Sequence, residues 1–159
     1  MAVSKSTRRV IDALDAHGLD AEVRDMPGST RTAQDAAAAV GCEVGQIVKS
    51  LVFSCDDGRT VVVLASGPNR VDVERLATHL GSAVSMADPA TVRETTGFAI
   101  GGVAPVGLPP SLPVLMDEDL LRYDTVWAAA GTPRNVFPVP PTALRDVTGA
   151  AVLAVHHGV

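Results

Sequence analysis

The sequence predicts an α+β protein that folds as a single domain over residues 1–159. This length is enough for one domain with a proper core. With 47% hydrophobic and 19% charged residues, the composition is typical of a globular chain. Strand-like and helix-like segments follow one another without the regular alternation of a doubly wound sheet. Because only 3% of the residues are aromatic, we expect Val, Ala and Leu to fill the interior.

Capping and turn residues mark the boundaries of the predicted elements. Thr32 followed by Asp35 is typical of a helix N-cap with an acid in the first turn, and Asp88-Pro89 of an N-cap with proline at N1. Asp56-Asp57-Gly58 predicts a tight β-hairpin turn. Apolar residues at helical spacing predict helices at 6–17, 33–40, 72–80, from 89 onward, and 142–147. Alternating or β-branched runs predict strands at 21–26, 45–55, 60–65, 83–86, 113–116, 125–130, 136–139 and 151–155.

Charge and cysteine content narrow the classes of function. A net charge of −5 argues against an extended grip on a nucleic-acid backbone, although it leaves room for binding one end of an RNA. Cys42 and Cys55 are the only cysteines, and neither a signal peptide nor an apolar run of membrane-spanning length is present, so we expect a cytoplasmic protein with reduced thiols. No Cys/His cluster has ligand spacing, and we therefore expect no metal site and no cofactor.

Common catalytic motifs are missing from the sequence, including the GxSxG elbow, the Walker A loop and HExxH. The acidic runs Asp56-Asp57 and Asp117-Glu118-Asp119 lie in predicted turns, where we expect solvated carboxylates. His156-His157 lies in a C-terminal tail and receives no functional assignment. The glycine-rich stretch 96–107 is the better lead, because exposed backbone amides can bind a carbonyl or a developing oxyanion. Tight turns between strands would require the same glycines.

Lys49 is the other candidate, because it interrupts the apolar run 45–53. Only Lys5 and Lys49 are lysines among 13 basic residues. A compact ammonium on a long stem can reach a single oxygen where a planar guanidinium would not fit in the same way. On pattern alone, a lysine that packs its stem on an edge strand and keeps its charge in water is the commoner explanation.

Several short segments, in their order and spacing, resemble the YbaK/EbsC family, whose domain is also found inserted in bacterial prolyl-tRNA synthetases. The resemblance is strongest over residues 32–147. It is carried by Thr32-Ala33-Gln34-Asp35-Ala36-Ala37, Ile47-Val48-Lys49-Ser50-Leu51, Asn69-Arg70-Val71-Asp72, Ala87-Asp88-Pro89, Thr96-Gly97-Phe98, Gly101-Gly102-Val103-Ala104-Pro105-Val106-Gly107 and Ala130-Gly131.

This resemblance implies both a fold and an activity. The implied fold is a strongly curved, barrel-like mixed β-sheet surrounded by helices. The implied activity is that of a trans-editing deacylase, which hydrolyses the ester of a mischarged tRNA such as Ala- or Cys-tRNA with the proline anticodon. In such enzymes a hydroxyl or thiol of the substrate takes part in the chemistry, so no protein nucleophile or metal is required. The implied partners are the 3′ acceptor end of the tRNA and an aminoacyl-tRNA synthetase.

The resemblance also implies a set of site residues. Lys49 corresponds to the essential lysine of the family, near the 3′-terminal adenosine and its phosphate. Gly101, Gly102 and Pro105 carry the GxxxP element, which positions the aminoacyl group and is expected to face the same pocket as Lys49. Further expected substrate-binding residues are Thr32, Asn69, Gly97, Ala104 and Gly131, with Arg31 and Arg70 as additional cations chosen by position.

Two positions depart from the family pattern. Ser50 stands where threonine is common, and Val136 stands near a position where Cys-specific members carry an acid, which weakens any transfer of cysteine specificity. Two other functions remain open at this point. One is a non-catalytic module of the same fold that binds an aminoacyl-adenosine, a tRNA end or a synthetase; the other is a regulatory protein without a link to tRNA.

Overall fold

A computed structural model describes residues 3–20, 22–26 and 32–156, and confirms the α+β class. Within these residues the helices are α1 (Lys5–Ala16), α2 (Ala33–Val40), α3 (Val73–Leu80), α4 (Pro89–Thr96) and α5 (Pro141–Thr148). The strands are β1 (Arg24–Asp25), β2 (Val48–Cys55), β3 (Thr60–Ser66), β4 (Val84–Met86), β5 (Val114–Asp117), β6 (Val126–Ala129), β7 (Asn135–Val139) and β8 (Ala151–Leu153). Short 3-10 turns form at Val44–Gln46 and Glu118–Arg122. None of the described helices is long and apolar enough to cross a membrane.

The described strands form two sheets, whereas one curved sheet was expected from the family resemblance. The larger sheet has the order β4-β2-β3-β5-β8; β2 runs antiparallel to β3 and β4, and β5 runs parallel to β3 and β8. The smaller sheet, β1-β7-β6, is antiparallel. A parallel bridge between Ile47 and Trp127 connects the two sheets. No closed barrel forms among these strands, so the barrel-like architecture is not confirmed.

The break between the sheets follows from the turn that precedes β2. Residues Val44–Gln46, which the apolar pattern had partly assigned to the strand, form a 3-10 turn closed by a capping box of Glu43 and Gln46. The Gln46 amide also donates to the Thr125 carbonyl at 2.9 Å, just before β6. Because the chain turns here, β2 begins only at Val48, and its pairing with β6 is limited to the bridge at Ile47.

Strand β3 is the centre of the structure because it is buried on both faces. Its residues 61–65 are all 0% exposed. Val62 and Leu64 face a large core that includes residues of α1, α5 and β6, whereas Val61 and Val63 face a second core beneath α3. A strand that is covered on both sides must be apolar at every position, which accounts for its uninterrupted Val- and Leu-rich sequence.

A third, smaller core packs α2 against the three-stranded sheet. Its buried residues are Met26, Ala36, Ala37, Ile47, Trp127 and Val136. The small alanine side chains of α2 pack in the same core as the indole of Trp127. Outside this core, the Arg24 guanidinium lies 4.8 Å from the centroid of the same indole, which is a cation–π distance. This small core lies beside the cavity described next.

Candidate functional site

A cavity of about 330 Å³ lies where α2 and the two sheets meet. Its walls come from α2, from residues 48–52 of β2, from β6, from the glycine-rich loop and from the turn before β7. Both faces of β2 contribute because β4 pairs only with residues 53–55, which leaves residues 48–52 without a strand partner on that edge. The lining side chains are mostly apolar, and among the described ones Lys49 carries the only charge. Such a cavity is of the size and polarity of a small-ligand site.

Lys49 lies on β2 at the edge of this cavity. Its ammonium donates a hydrogen bond to the backbone carbonyl of Asn69, in the loop between β3 and α3. Burial lowers the pKa of the Lys49 ammonium below its ordinary value, while the Asp117 carboxylate raises it and the Arg70 guanidinium lowers it further. The charge is therefore partly desolvated, which strengthens its interaction with an anion or a carbonyl oxygen entering the cavity.

Asn69 faces a carboxylate pair, and its side chain is not part of the cavity lining. The amide nitrogen donates to Asp117 and to Asp119, both at 2.8 Å. Asp117 is 0% exposed and accepts the backbone N–H groups of Ser66 and Asp119 at 3.0 Å. The expectation of solvated turn acids is therefore wrong for Asp117, since this carboxylate ends a buried strand and replaces water with protein donors.

The C-terminal segment also contacts this cluster. His156 forms a bridge with Val71, and its Nε2 lies 2.9 Å from Asp119, which also pairs with Arg122 at 3.2 Å. Three side chains meet here: a carboxylate oxygen of Asp117, a carboxylate oxygen of Asp119 and a ring nitrogen of His156 all lie within 4.8 Å of one another. The C-terminal tail had received no functional assignment, and the structure shows that His156 has a place in this network. His157 lies outside the described residues.

The glycine-rich loop borders the cavity through Gly101, but not through Gly102 or Pro105. Gly101 has a φ of +86°, a left-handed conformation that favours glycine. A Cβ at Gly102 would lie 2.9 Å from the Cα of Thr132, so only glycine allows the loop to pack on the turn before β7. Pro105 borders a second cavity, of about 270 Å³, together with residues of α1 and α5.

Three further expected site residues also lie outside the cavity lining. Gly97 and Gly131 pack against α1, where an added Cβ would contact Arg9 and the backbone of Ser6 respectively. Helix α1 is fixed at this point by the Thr7 hydroxyl, which donates to the Ala130 carbonyl at 2.8 Å. Ala104 is 0% exposed within the large core. These positions shape the scaffold around the glycine-rich loop, and their role in substrate binding stays a prediction.

Thr32 lies at the cavity mouth, where it caps α2. Its hydroxyl accepts the backbone N–H of Asp35 at 3.1 Å, which confirms the expected N-cap. Arg70 is exposed beside Lys49, and Arg31 lies outside the described residues. Met86 and Ile100 also border the cavity and are 56% and 54% exposed, which gives the mouth an apolar rim.

Ser50 departs from the family pattern, and no role was expected for it from the sequence. This residue follows Lys49 and lines the cavity, and its buried hydroxyl has no hydrogen-bond partner among the described residues. Such an unpaired group in a native structure calls for an explanation, and a bound ligand can supply one. Val136 lines the same cavity and is 8% exposed, so the position expected to carry an acid in Cys-specific members presents an apolar wall here.

Comparison with known proteins shows the family of this chain. Residues 28–147 match the family described as the aminoacyl-tRNA editing domain. The uncharacterised protein YwhH of Bacillus subtilis is 30% identical over 82% of this chain and 83% of its own length. A protein of Enterococcus faecalis, provisionally named as the Cys-tRNA(Pro)/Cys-tRNA(Cys) deacylase EbsC, is 28% identical over 74% of this chain and 72% of its own.

A solved structure agrees with the sequence matches. It is provisionally described as a trans-editing enzyme for prolyl-tRNA synthetase, is 50% identical, and superimposes with a TM-score of 0.92 over 99% of this chain and 100% of that one. The family match covers most of the chain, and the fold agrees with that of a trans-editing candidate. The chain therefore belongs to the aminoacyl-tRNA editing domain family.

Proposed function

We propose that this protein is a trans-editing deacylase that hydrolyses the ester of a mischarged tRNA of the Ala- or Cys-tRNA(Pro) kind. The observation that carries the proposal is the apolar cavity with Lys49 as the only charge among its described lining residues. A single cation at the edge of an apolar cavity suits a ligand with one anionic or strongly polarised oxygen and a small apolar group. The 3′ end of an aminoacylated tRNA has both.

The proposed reaction needs no covalent enzyme intermediate. Water attacks the ester carbonyl, the bond between the carbonyl carbon and the ribose oxygen breaks, and the proton lost by water restores the ribose hydroxyl. The products are the free amino acid and an uncharged tRNA. Because the ester is already activated, positioning and electrostatic stabilisation of the developing oxyanion can supply much of the rate. Lys49 anchors the terminal adenosine and its phosphate, while the Gly101 segment lines the wall beside the aminoacyl group.

The cavity walls favour an aminoacyl group whose side chain is small and uncharged. Val136, Ala36 and Val103 are buried, and no carboxylate is found among the described lining residues to recognise a second charge. A pocket of this kind distinguishes side chains mainly by size, and one methylene is worth about 1–3 kcal/mol. The removed amino acid is therefore best found by assaying a panel of mischarged tRNAs.

The first prediction concerns Lys49. In a panel of mischarged tRNAs, wild-type protein is expected to release the amino acid from at least one member well above the buffer rate. Lys49→Ala should reduce this rate by about 100- to 1000-fold, because the only described charge of the cavity is lost. Lys49→Arg should not restore it, since a planar guanidinium does not replace a compact ammonium. Circular dichroism melting should show that both variants fold.

Lys5→Ala is the matched control, because Lys5 is the only other lysine and begins α1 away from the cavity. It should hydrolyse at the wild-type rate. If wild-type protein hydrolyses no member of the panel, the enzyme proposal is wrong. Binding of an aminoacyl-adenosine or co-purification with a synthetase, without turnover, would then favour a non-catalytic module.

The second prediction concerns the unpaired hydroxyl of Ser50. Ser50→Ala should lower kcat/KM by about two- to tenfold, because a hydrogen bond to the substrate contributes about 0.5–1.5 kcal/mol. The same change should leave the melting temperature equal or higher, because it removes a buried hydroxyl that has no described partner in the free protein. Ser54→Ala, on the same face of β2 but outside the cavity lining, is the control and should change neither quantity. Unchanged kcat/KM in Ser50→Ala would rule out this contact.

The third prediction concerns pH. The proposed role of Lys49 requires the charged ammonium, which exists only below its pKa. Since burial lowers that pKa, enzymatic hydrolysis should decline at a lower pH than an exposed lysine would require. The measurement is kcat/KM against pH, with the spontaneous ester hydrolysis subtracted at each point. A rate that rises steadily through the titration range of an ordinary lysine would contradict a role for the charged form.

A further inference from the structure

A chain of hydrogen bonds leads from Lys49 to the loop after β3 and on to carboxylates at the end of β5, which do not line the cavity. The ammonium donates to the Asn69 carbonyl, and the Asn69 amide donates in turn to Asp117 and Asp119. Asn69 therefore has two roles in one residue: its backbone oxygen faces the lysine, and its side chain fixes that oxygen in place. Substrate contact, the role expected for Asn69 from the family resemblance, does not account for these bonds.

Asp117 is the fixed point of this chain. It ends β5 beside the end of β3, is 0% exposed, and accepts two backbone N–H groups in addition to the Asn69 amide. A carboxylate that accepts several N–H donors is held in one orientation. On the outer side, His156 and Arg122 contact Asp119, which holds the second carboxylate toward Asn69.

We propose that Asn69 and Asp117 are positioning residues, which hold the Lys49 ammonium in one place at the cavity edge and keep it charged. This inference rests on the proposed deacylase function and deepens it by naming the groups through which Lys49 acts. Neither residue needs to touch the substrate.

Placing a lysine here costs free energy, and the contacts of its ammonium offset that cost. A lysine side chain has a long flexible stem, and fixing it in one rotamer costs side-chain conformational entropy. Partial burial further disfavours the charge, and Arg70 adds repulsion. The Asn69 carbonyl supplies a fixed acceptor and Asp117 supplies the opposing charge. Without them, the ammonium would turn toward water or lose its proton more readily.

The test uses the fact that the chain contains only two lysines. Protein labelled with carbon-13 at the lysine ε position should give two NMR signals, from Lys5 and Lys49, that can be followed during a pH titration. In Asp117→Asn the Lys49 signal should titrate at lower pH than in the wild type, while Lys5 is unchanged. Deacylation should fall on the order of 100-fold, as expected when a group that positions the substrate is displaced by about 1 Å.

The matched control is Asp57→Asn, which removes the same charge from the exposed hairpin turn between β2 and β3. It should move neither lysine signal nor change deacylation. Asn69→Ala is the second variant: it keeps the backbone carbonyl but releases the loop from the carboxylates. In this variant the Lys49 ε signal should sharpen toward that of a mobile side chain. The measurement therefore tests the proposal even if Asp117→Asn does not fold.

The proposal is overturned if the Lys49 titration and mobility in the folded variants equal those of the wild type. Because the NMR measurement requires no substrate, it decides the positioning claim independently of the deacylation assay. If the variants show the NMR changes but the wild-type protein hydrolyses no tRNA, the positioning proposal stands and the proposed deacylase function is wrong.

Discussion

Burial of β3 on both faces is the constraint on which the rest of the structure depends. A strand without solvent on either side requires a core above it and a core below it, and the two are filled by residues from α1, α5 and β6 on one side and from α3 on the other. β2 pairs with β3 along its whole length and is therefore fixed in register, with Lys49 opposite Ala65. On its other edge β2 pairs with β4 only at residues 53–55, and residues 48–52, which have no strand partner there, form one wall of the cavity.

The same arrangement explains how a lysine is tolerated in an apolar strand. Lys49 is the second residue of β2. Its ammonium lies near the Asn69 carbonyl in the loop after β3 and is influenced by the buried Asp117 carboxylate at the end of β5. The charge is thus neither fully solvated nor isolated in the core, and both extremes would be less useful for binding an oxygen of the substrate. The C-terminal segment completes this corner, because His156 contacts both Asp119 and Val71.

Local signals in the sequence predicted the helices and strands well, but they predicted poorly how these elements are arranged in space. The caps at Thr32 and Asp88 and the hairpin after Cys55 depend on neighbouring residues only, and each is found as expected. The division into two sheets depends on the 3-10 turn before β2 and on contacts made 79 residues away by Gln46, which no local pattern records. Asp117 resembled a turn acid for the same reason, although its position directly after the apolar run Val114–Met116 was a signal of burial at a strand end.

The candidate site shows the same limit. Periodicity could single out Lys49 and the glycine-rich stretch, but could not separate a glycine that borders the cavity from one that lets α1 approach. The structure assigns Gly101 to the cavity wall and places Gly97 and Gly131 against α1. The unpaired hydroxyl of Ser50 became visible only once its surroundings were known.

The central claim is that the cavity between the two sheets receives the aminoacylated 3′ end of a tRNA. The most direct measurement is a crystal structure of the protein with a non-hydrolysable aminoacyl-adenosine analogue, in which an amide replaces the ester. The account predicts that the aminoacyl group lies in the cavity beside Gly101 and Val136, with an oxygen of the adenosine part within hydrogen-bond distance of the Lys49 ammonium. An analogue bound elsewhere, with the cavity empty and Lys49 without contact to it, would contradict the account.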